Sequence, residues 1–205
     1  MAEVKTRRGE YTESTRRALL DAASRLFTER GFAKTSLDDV AADARVTKGA
    51  IYHHFSSKTG LFEVLFDELE LTENTAARAA FEAQSDPGLG ALAALDQFLL
   101  ACCEPVYGAI VFREAPVALG WDGWRRCEEK YSYALLDDLI AGMVDGGMIP
   151  ASMRTEATVT VAFGMLGAAG QLLARTPPED RERVRGECRV PFVALLAGMS
   201  SSTHS

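Results

Sequence analysis

The stretch that most constrains the fold is residues 37–55, which reads as two short helices around a tight turn. Apolar residues three and four positions apart lie on the same side of a helix, so their spacing indicates the buried face. The residues spaced in this way are Leu37, Val40 and Ala41 in the first helix and Ile51 and Phe55 in the second. With Val46 filling the turn between them, the stretch predicts a helix-turn-helix.

The second helix of this motif has an outward face of unusual composition. It carries one cation, one glycine, one phenol and one imidazole, which are Lys48, Gly49, Tyr52 and His53. Glycine within a helix costs about 0.5–1 kcal/mol relative to alanine, so a merely solvated face would not favour it. Without a Cβ the backbone can approach another molecule, and the positive helix N-terminus favours an anion. We therefore expect this face to enter a nucleic-acid groove.

Residues within and around the motif carry a resemblance to a known family. Residues 47–55 read Thr-Lys-Gly-Ala-Ile-Tyr-His-His-Phe, and Ser57-Lys58 and Leu61-Phe62 follow. The matching pairs upstream are Ala22-Ala23, Leu26-Phe27, Gly31-Phe32 and Thr35-Ser36. At these positions, which span about a quarter of the chain, the sequence resembles the DNA-binding part of the tetracycline-repressor-like (TetR) family. Beyond residue 70 the similarity is one of length and helical pattern.

The resemblance implies a homodimer whose two recognition helices enter successive major grooves of a double-stranded DNA operator with approximate palindromic symmetry. The implied DNA-binding residues are Thr35, Ser36, Arg45, Thr47, Lys48, Gly49, Tyr52, His53, His54 and Lys58. Among them, Lys48, Tyr52 and His53 are expected at base edges. The phosphate contacts are expected to include Thr35, whose hydroxyl is free to donate, Ser36 and Lys58.

Arg45 occupies the turn position where that family usually has glycine. A non-glycine residue forced to positive φ costs on the order of 1 kcal/mol. The sequence therefore predicts either mild strain at Arg45 or a reshaped turn, and it adds a cation on the DNA side.

The charge distribution favours polyanion contact at one end only. The net charge of −7 is unusual for a DNA-binding protein. However, residues 1–60 contain eleven Lys and Arg against eight Asp and Glu, a net charge of +3, whereas residues 61–205 carry −10. Only the end that contains the helix-turn-helix is basic, so nucleic acid is expected to bind there.

Composition and motifs bound the remaining possibilities. No stretch approaches the roughly 20 apolar residues of a membrane span, and residues 1–10 are charged rather than a signal sequence, so we expect a cytoplasmic protein without a membrane partner. The sequence lacks G-x-S-x-G, H-E-x-x-H, a phosphate-binding glycine loop and a dinucleotide fingerprint, which argues against an enzyme. His53 and His54 project about 100° apart on a helix and do not form a metal site by themselves. No cofactor or metal is predicted.

No stretch alternates with period two, so the chain predicts an all-α fold of about nine helices without strands. The predicted organisation is a flexible basic arm (1–10), a helix-turn-helix DNA-binding domain whose three helices form a head (11–57), a connecting helix (58–81), a ligand-binding and dimerisation domain (82–199) and a disordered tail (200–205). Thr176 is predicted to be the N-cap of the last helix, followed by proline. Pro191 is predicted to kink that helix or loosen its first half.

Glycine and proline between residues 105 and 120 predict an irregular backbone that leaves a ligand cavity. The side chains expected to line it are Phe98, Tyr107, Phe112, Trp121, Trp124, Tyr131, Met143 and Met165. Arg113 or Glu114 is expected to set the polarity of an unknown small-molecule effector. Small residues in the penultimate helix allow close helix packing, so a dimer interface is predicted there and in the last helix. Its expected members are Gly164, Gly167, Gly170, Leu195, Leu196 and Met199.

These features favour a ligand-responsive transcriptional repressor, and two alternatives stay open. One is a thiol or redox sensor that uses Cys102 and Cys103 together with Cys127 and Cys188. The cysteines have no C-x-x-C spacing, and reduced buried thiols are the expected state. The other is a helical small-molecule-binding protein without DNA function, for which no salt-sensitive DNA binding is expected.

Overall fold

The computed structural model describes the backbone of residues 7–201 and the side chains of residues 12–198. Within that range it is all-helical, which confirms the predicted fold class. The α-helices are α1 (Arg7–Arg30), α2 (Leu37–Asp43), α3 (Lys48–His54), α4 (Lys58–Glu82), α5 (Pro87–Cys103), the single turn α6 (Pro105–Tyr107), α7 (Ala115–Asp145), α8 (Glu156–Arg175) and α9 (Arg181–Ser201). A π-helix (Gly108–Glu114) joins α6 to α7, and short 3₁₀ turns precede α8 and α9.

Three aromatic rings hold the N-terminal helices against the start of α4. The ring centroid of Phe27 lies 5.5 Å from those of Phe32 and Phe62, which are themselves 5.3 Å apart. All three side chains are buried, and aromatic packing of this kind adds about 0.5–1.5 kcal/mol per pair beyond burial. The rings therefore join the end of α1 to the start of α4, the two helices that flank α2 and α3.

Side-chain caps define where the helices of the head begin. The side-chain oxygens of Ser36, Thr47 and Ser57 accept the backbone N–H groups of Asp39, Ala50 and Gly60 at 3.1, 3.3 and 2.9 Å. Asp39 returns the interaction by accepting the Ser36 N–H at 2.8 Å, so the predicted capping box is present. Each such cap is worth roughly 1 kcal/mol, which explains the defined starts of α2, α3 and α4.

The turn between α2 and α3 takes the strained form that the sequence predicts. Arg45 has φ 57° and is the one non-glycine residue with positive φ among those described. Its N–H donates to Ala42 O at 3.1 Å, and the N–H of Val46 donates to Ala41 O at 3.0 Å. These bonds hold Arg45 in the left-handed conformation. The strain of that conformation costs on the order of 1 kcal/mol.

The predicted flexible arm and disordered tail are each too long. Residues 7–10 already belong to α1, because extending an existing helix fixes one residue for each hydrogen bond gained. For the same reason α9 continues through residues 200 and 201. The rest of both segments, residues 1–6 and 202–205, lies outside the described residues.

The middle of the chain contains the irregular backbone that proline and glycine predict. α5 starts at Pro87 with the carboxylate of Asp86 accepting the Leu89 N–H at 2.8 Å. The chain then bends by 74° between α5 and the helical run that begins at Pro105. Gly120 interrupts α7 with φ 70° and ψ 164°, a conformation that glycine adopts readily.

The predicted start of the last helix is wrong. The hydroxyl of Thr176 donates backward to Leu172 O at 2.8 Å, so this residue ends α8, and a 3₁₀ turn intervenes before α9. Pro191 lies within α9, but the first half of that helix is firmly attached. Arg189 forms two hydrogen bonds with Asp96 of α5 at 2.6 and 3.2 Å, which offset the ladder bond that the proline lacks.

Candidate nucleic-acid interface and ligand cavity

The outward face of α3 is free of packing against the described chain. Tyr52 is 50% exposed, Lys48 and His53 are exposed, and a Cβ built on Gly49 would have no neighbour within 4 Å. Lys48 Nζ lies 2.6 Å from a carboxylate oxygen of Asp38 and 5.9 Å from the centre of the Tyr52 ring. The Asp38 carboxylate raises the pKa of Lys48 through this hydrogen bond. These residues form one accessible surface with a cation held at its edge.

Two of the predicted phosphate contacts are engaged inside the head. Thr35 is 2% exposed and its hydroxyl donates to Gly31 O at 2.9 Å, so the expectation of a free hydroxyl is wrong. Backbone carbonyls at the end of α1 have no partner within the helix and need a donor. The Thr35 hydroxyl supplies one and is buried as a result. Lys58 Nζ donates to Phe32 O at 2.8 Å and lies 4.1 Å from the Phe32 ring centre.

The remaining DNA-binding candidates lie around the same surface. Arg45, Thr47 and Ser36 are exposed, whereas the side chain of His54 is partly buried. Burial lowers the pKa of His54, which favours its neutral form. The Ser36 hydroxyl lies 2.6 Å from a carboxylate oxygen of Asp39 and serves the capping box. The exposed candidates therefore cluster at the α2–α3 turn and along α3.

A cavity of about 510 Å³ lies in the second half of the molecule, between α4, α5, α7, α8 and α9. Five of the predicted ligand residues line it: Phe98, Tyr107, Phe112, Met143 and Met165. Fourteen of the thirty residues that line it are leucine, isoleucine or alanine. Its exposed lining residues are Ala157, Val161 and Leu195, so the cavity reaches the surface between α8 and α9.

The other three aromatic candidates do not line the cavity. Trp121 is 58% exposed, because Gly120 breaks the helix and turns it outward. Trp124 is buried behind Phe112, with the two ring centres 6.3 Å apart, and supports the wall without reaching it. Tyr131 packs on the surface with Lys130 Nζ 4.7 Å from its ring centre.

The polar groups of the cavity come from α4, α7 and Tyr107. Glu70 is 1% exposed, and one carboxylate oxygen accepts the Tyr107 hydroxyl at 2.8 Å. The other lies 3.3 Å from the Asn74 amide nitrogen. Burial raises the pKa of Glu70 to about 7, although these hydrogen bonds oppose the shift.

A second carboxyl group, Glu128, is 6% exposed and lines the same cavity from α7. Burial raises its pKa to about 9, and the nearby charge of Glu70 contributes to the rise. The Trp124 indole is close enough to lower the pKa of Glu128. However, the Nε1–H of Trp124 makes no hydrogen bond of normal geometry among the described residues. Glu128 is therefore a buried carboxyl group with an incomplete set of partners.

Neither carboxyl group was predicted from the sequence. Glutamate in an amphipathic helix is ordinarily solvated, so neither stood out. A signal was nevertheless present in their spacing. Glu70 continues the four-residue spacing of Phe62 and Phe66, and Glu128 follows Trp124 by four, so each lies on the buried face of its helix.

Arg113 and Glu114 face the head and do not line the cavity, contrary to expectation. Glu114 is 8% exposed, and its carboxylate accepts the Phe32 N–H at 2.8 Å and the Arg113 Nε–H at 2.8 Å. Arg113 also donates to Thr28 O at 2.8 Å. Residues two apart in a helix point to nearly opposite sides, so Phe112 faces the cavity while Glu114 reaches the end of α1.

The predicted dimer residues divide into two groups. Gly170 is buried within the chain, where a Cβ would lie 2.5 Å from Phe112 Cζ, so it is a packing residue of the subunit. Leu196 is partly buried and lines the cavity. In contrast, a Cβ on Gly164 or Gly167 would have no neighbour within 4 Å, and Leu195 is 47% exposed, although Gly167 and Leu195 also line the cavity. The side chain of Met199 lies outside those described.

The uncovered face of α8 extends beyond these glycines. Its exposed apolar side chains include Val161 at 63% and Leu172 at 47%, and Val190 of α9 is 65% exposed. By length and composition α8 could cross a membrane, and only 22% of its apolar window is buried within the subunit. The helix therefore has an apolar surface that the described chain leaves uncovered.

The four thiols do not have the properties of reactive cysteines. Burial raises the pKa of Cys102, Cys103, Cys127 and Cys188, which favours the less reactive thiol form. All four are free thiols. Within the described range, no group of three metal-binding side chains is close enough to hold an ion.

Two family models match the chain. Residues 19–65 match the family described as bacterial regulatory proteins, tetR family, and residues 89–199 match the tetracyclin repressor-like C-terminal domain. The HTH-type transcriptional regulator TtgR of Pseudomonas putida is 44% identical over 79 residues, which is 38% of each protein. The chain thus spans well under half the length of that relative.

Two longer similarities extend through the cavity region. The HTH-type transcriptional regulator AcrR of Shigella flexneri is 28% identical over 167 residues, or 75% of each protein. A crystal structure of a TetR-family transcriptional regulator from Pectobacterium atrosepticum has a TM-score of 0.79 and 28% identity, covering 95% of this chain and 97% of that one. The C-terminal family match alone spans more than half of the 205 residues. The chain therefore belongs to the tetR family of bacterial regulatory proteins.

Proposed function

We propose that the protein is a homodimeric transcriptional repressor that binds a palindromic DNA operator and is released by a small molecule. The observation that carries this proposal is the uncovered face of α3, where Lys48, Gly49, Tyr52 and His53 are accessible together. Buried aromatic rings fix the base of the same head, so this surface is presented rigidly. A rigid helix with a thin, cationic face fits the major groove.

The proposal divides the chain into three parts. Residues 11–57 would form the DNA-binding domain, residues 58–81 would connect it and contribute part of the cavity wall, and residues 82–199 would supply the rest of the ligand site and the dimer surface. Lys48, Tyr52 and His53 would contact base edges, while Arg45 and the N-termini of α2 and α3 would contact phosphates. One N–H of the Lys58 ammonium group donates to Phe32 O, so only its other N–H groups would be available to a phosphate. The relatives are named as regulators, and the role proposed here is likewise not enzymatic.

A second copy of the chain would cover the apolar face of α8 and α9. An isolated subunit leaves Val161, Leu172 and Val190 largely in water, and burial of such side chains yields about 25 cal/mol per Å². Two-fold association along these helices would also set the distance between the two α3 helices. For a two-fold dimer on DNA that distance should be near one helical turn, about 34–36 Å.

Release by a ligand requires that the ligand bind one subunit arrangement better than the other. The cavity lies beside the π-helix, and the same π-helix holds the end of α1 through Glu114 and Arg113. A ligand that shifts Phe112 would therefore act on the position of the head. We place the protein in the cytoplasm, where its DNA would be accessible. The raised thiol pKa values do not favour a redox signal.

The test of DNA binding uses two lysines with closely matched surroundings. Lys48 and Lys130 are both exposed, each pairs with an aspartate and each lies over a tyrosine ring. Anisotropy titrations with DNA from upstream of the gene should show Lys48→Ala weakening binding by roughly tenfold or more. Because Lys48 is placed at a base edge, the variant should also discriminate less between this DNA and an unrelated duplex. Lys130→Ala should leave both quantities unchanged, and equal behaviour of the two variants would refute the assignment.

The proposed dimer has a separate test. Leu172→Glu places a charge at the uncovered α8 face, where burial against a partner would be costly. Sedimentation should show a dimer for the wild type and a monomer for the variant, with helicity retained. A wild-type protein that sediments as a monomer at micromolar concentration would exclude the two-fold operator complex.

A further inference from the structure

The charged residue types that line the cavity are all acidic. Its lining contains Glu70 and Glu73 from α4 and Glu128 from α7, but no lysine, arginine or histidine among the described residues. The described residues of α8 and α9 add no titratable side chain, and the rest of the wall is apolar except for a few hydroxyl and amide groups. An anionic ligand would therefore find no cationic side chain to pair with, and burying an unpaired charge in an apolar cavity is strongly unfavourable.

The carboxyl groups differ in how well the protein satisfies them. Glu70 is held by Tyr107 and Asn74, as described above. Glu73 is hydrogen-bonded to Gln97 at 3.1 Å. Glu128 is more than nine-tenths buried, and its nearby donor, the Trp124 N–H, lacks normal hydrogen-bond geometry. The carboxyl oxygens of Glu128 can therefore accept a hydrogen bond from a ligand in the cavity.

Aromatic faces complete this end of the cavity. Phe112 packs edge-on against Tyr107 and Phe98, with ring centres 5.9 and 6.2 Å away, and all three rings line the cavity. The face of an aromatic ring attracts a cation within about 6 Å, most strongly where water is excluded. Carboxyl groups and aromatic rings at one end, with an aliphatic remainder, suit a molecule with one positive centre and a bulky apolar body.

We propose that the effector is a lipophilic monocation, such as a protonated or quaternary amine, whose positive centre lies between Glu70 and Glu128 and displaces a proton from this pair. This inference rests on the proposed role of the cavity as the effector site. The proton leaves a glutamic acid for solvent, and the cation takes its place, so the charge of the cavity is conserved. Ligand binding is thus an exchange of one cation for another.

The exchange makes the affinity depend on pH. In the free protein burial holds the pKa of Glu70 at about 7 and that of Glu128 at about 9, so at neutral pH the pair retains protons. Tyr107 and Cys102 also face this group, but burial raises the pKa of each well above its ordinary value and keeps it neutral. Cation affinity should therefore rise between about pH 6 and pH 9, by up to about tenfold per pH unit for each proton released.

Two ions of nearly equal size and opposite charge test the proposal directly. Tetraphenylphosphonium and tetraphenylborate should be titrated into the full-length protein by calorimetry without DNA. We expect the phosphonium to bind at least about tenfold more tightly than the borate. Titrations in two buffers of different ionisation enthalpy should reveal proton release at about pH 7.5. Equal affinity for both ions, binding of neither, or a pH-independent phosphonium affinity would overturn the proposal.

Variants locate the site and separate it from the proposed function. Glu128→Gln preserves shape but not charge, so it should weaken phosphonium binding at least about tenfold and abolish most proton release. Glu63→Gln, on the exposed side of α4, is the matched control and should bind as the wild type does. Circular dichroism should confirm that each variant is folded. DNA release is measured separately: phosphonium binding without release would refute the repressor mechanism while leaving the ligand class intact.

Discussion

The contact between Glu114 and the end of α1 allows a stability prediction that can be worked from the structure. Replacing Glu114 with alanine removes the only hydrogen-bond acceptor found for the Phe32 N–H among the described residues. That N–H is buried, so water does not readily replace the carboxylate. Arg113 simultaneously loses its partner at 2.8 Å but keeps its bond to Thr28 O.

The expected loss follows from the type of bond. A hydrogen bond to a charged group contributes about 1.5–3 kcal/mol, and an orphaned buried donor costs a comparable amount. We take about 2 kcal/mol as the central value because Arg113 is partly exposed and its interaction is screened. For a chain of roughly this size, about 1 kcal/mol changes Tm by about 2–4 °C, so Glu114→Ala should lower Tm by about 4–8 °C.

Thermal unfolding followed by circular dichroism, at one protein concentration, is the appropriate assay because a dimer's Tm varies with concentration. Glu129→Ala is the control, since it removes a carboxylate that pairs with Arg125 on the surface of α7. That variant should shift Tm by less than about 2 °C. If Glu114→Ala melts within about 2 °C of the wild type, the contact does not stabilise the junction between head and cavity.

Three further predictions concern packing, backbone and pH. Gly170→Ala should destabilise the fold by about 1–3 kcal/mol, because its Cβ would lie 2.5 Å from Phe112; a Tm equal to that of the wild type would contradict this packing. Arg45→Gly should relieve the strain at φ 57° and stabilise the protein by up to about 1 kcal/mol in urea denaturation, so a loss of stability would be inconsistent with strain. Glu128 has a folded pKa of about 9, raised from 4.5, so it stabilises the ligand-free fold below pH 4.5 and loses that contribution as pH rises through 9. Urea denaturation at several pH values should show this decline, and Glu128→Gln should reduce it.

Features controlled by local sequence were predictable. The capping box at Ser36 and Asp39 depends on residues three apart, and the left-handed conformation of Arg45 is one of the two outcomes expected at a position where the resembling family has glycine. The apolar spacing of Ile51 and Phe55 likewise determines which face of α3 remains exposed. Such features require only neighbouring residues, so one sequence contains the necessary information.

Features that depend on distant parts of the chain were not predictable in the same way. Thr35 resembles an exposed cap residue, but a carbonyl at the end of α1 takes its hydroxyl. Glu114 was expected in the cavity, yet it bonds to a backbone N–H 82 residues away. The polar end of the cavity combines Glu70 and Glu128 from two helices, and only their packing removes them from water. Sequence spacing within either helix cannot specify that encounter.

The π-helix gives the junction a property that an α-helix would lack. Each N–H in a π-helix pairs with a carbonyl five residues back, so residues 108–114 hold more residues per turn than α-helical pairing needs. A one-residue slip to α-helical register would rotate the following side chains by about 100°. Phe112 and Glu114 could not then keep both of their present directions. Because Phe112 lines the cavity and Glu114 holds the end of α1, the hydrogen-bond register of residues 108–114 sets the direction of both contacts.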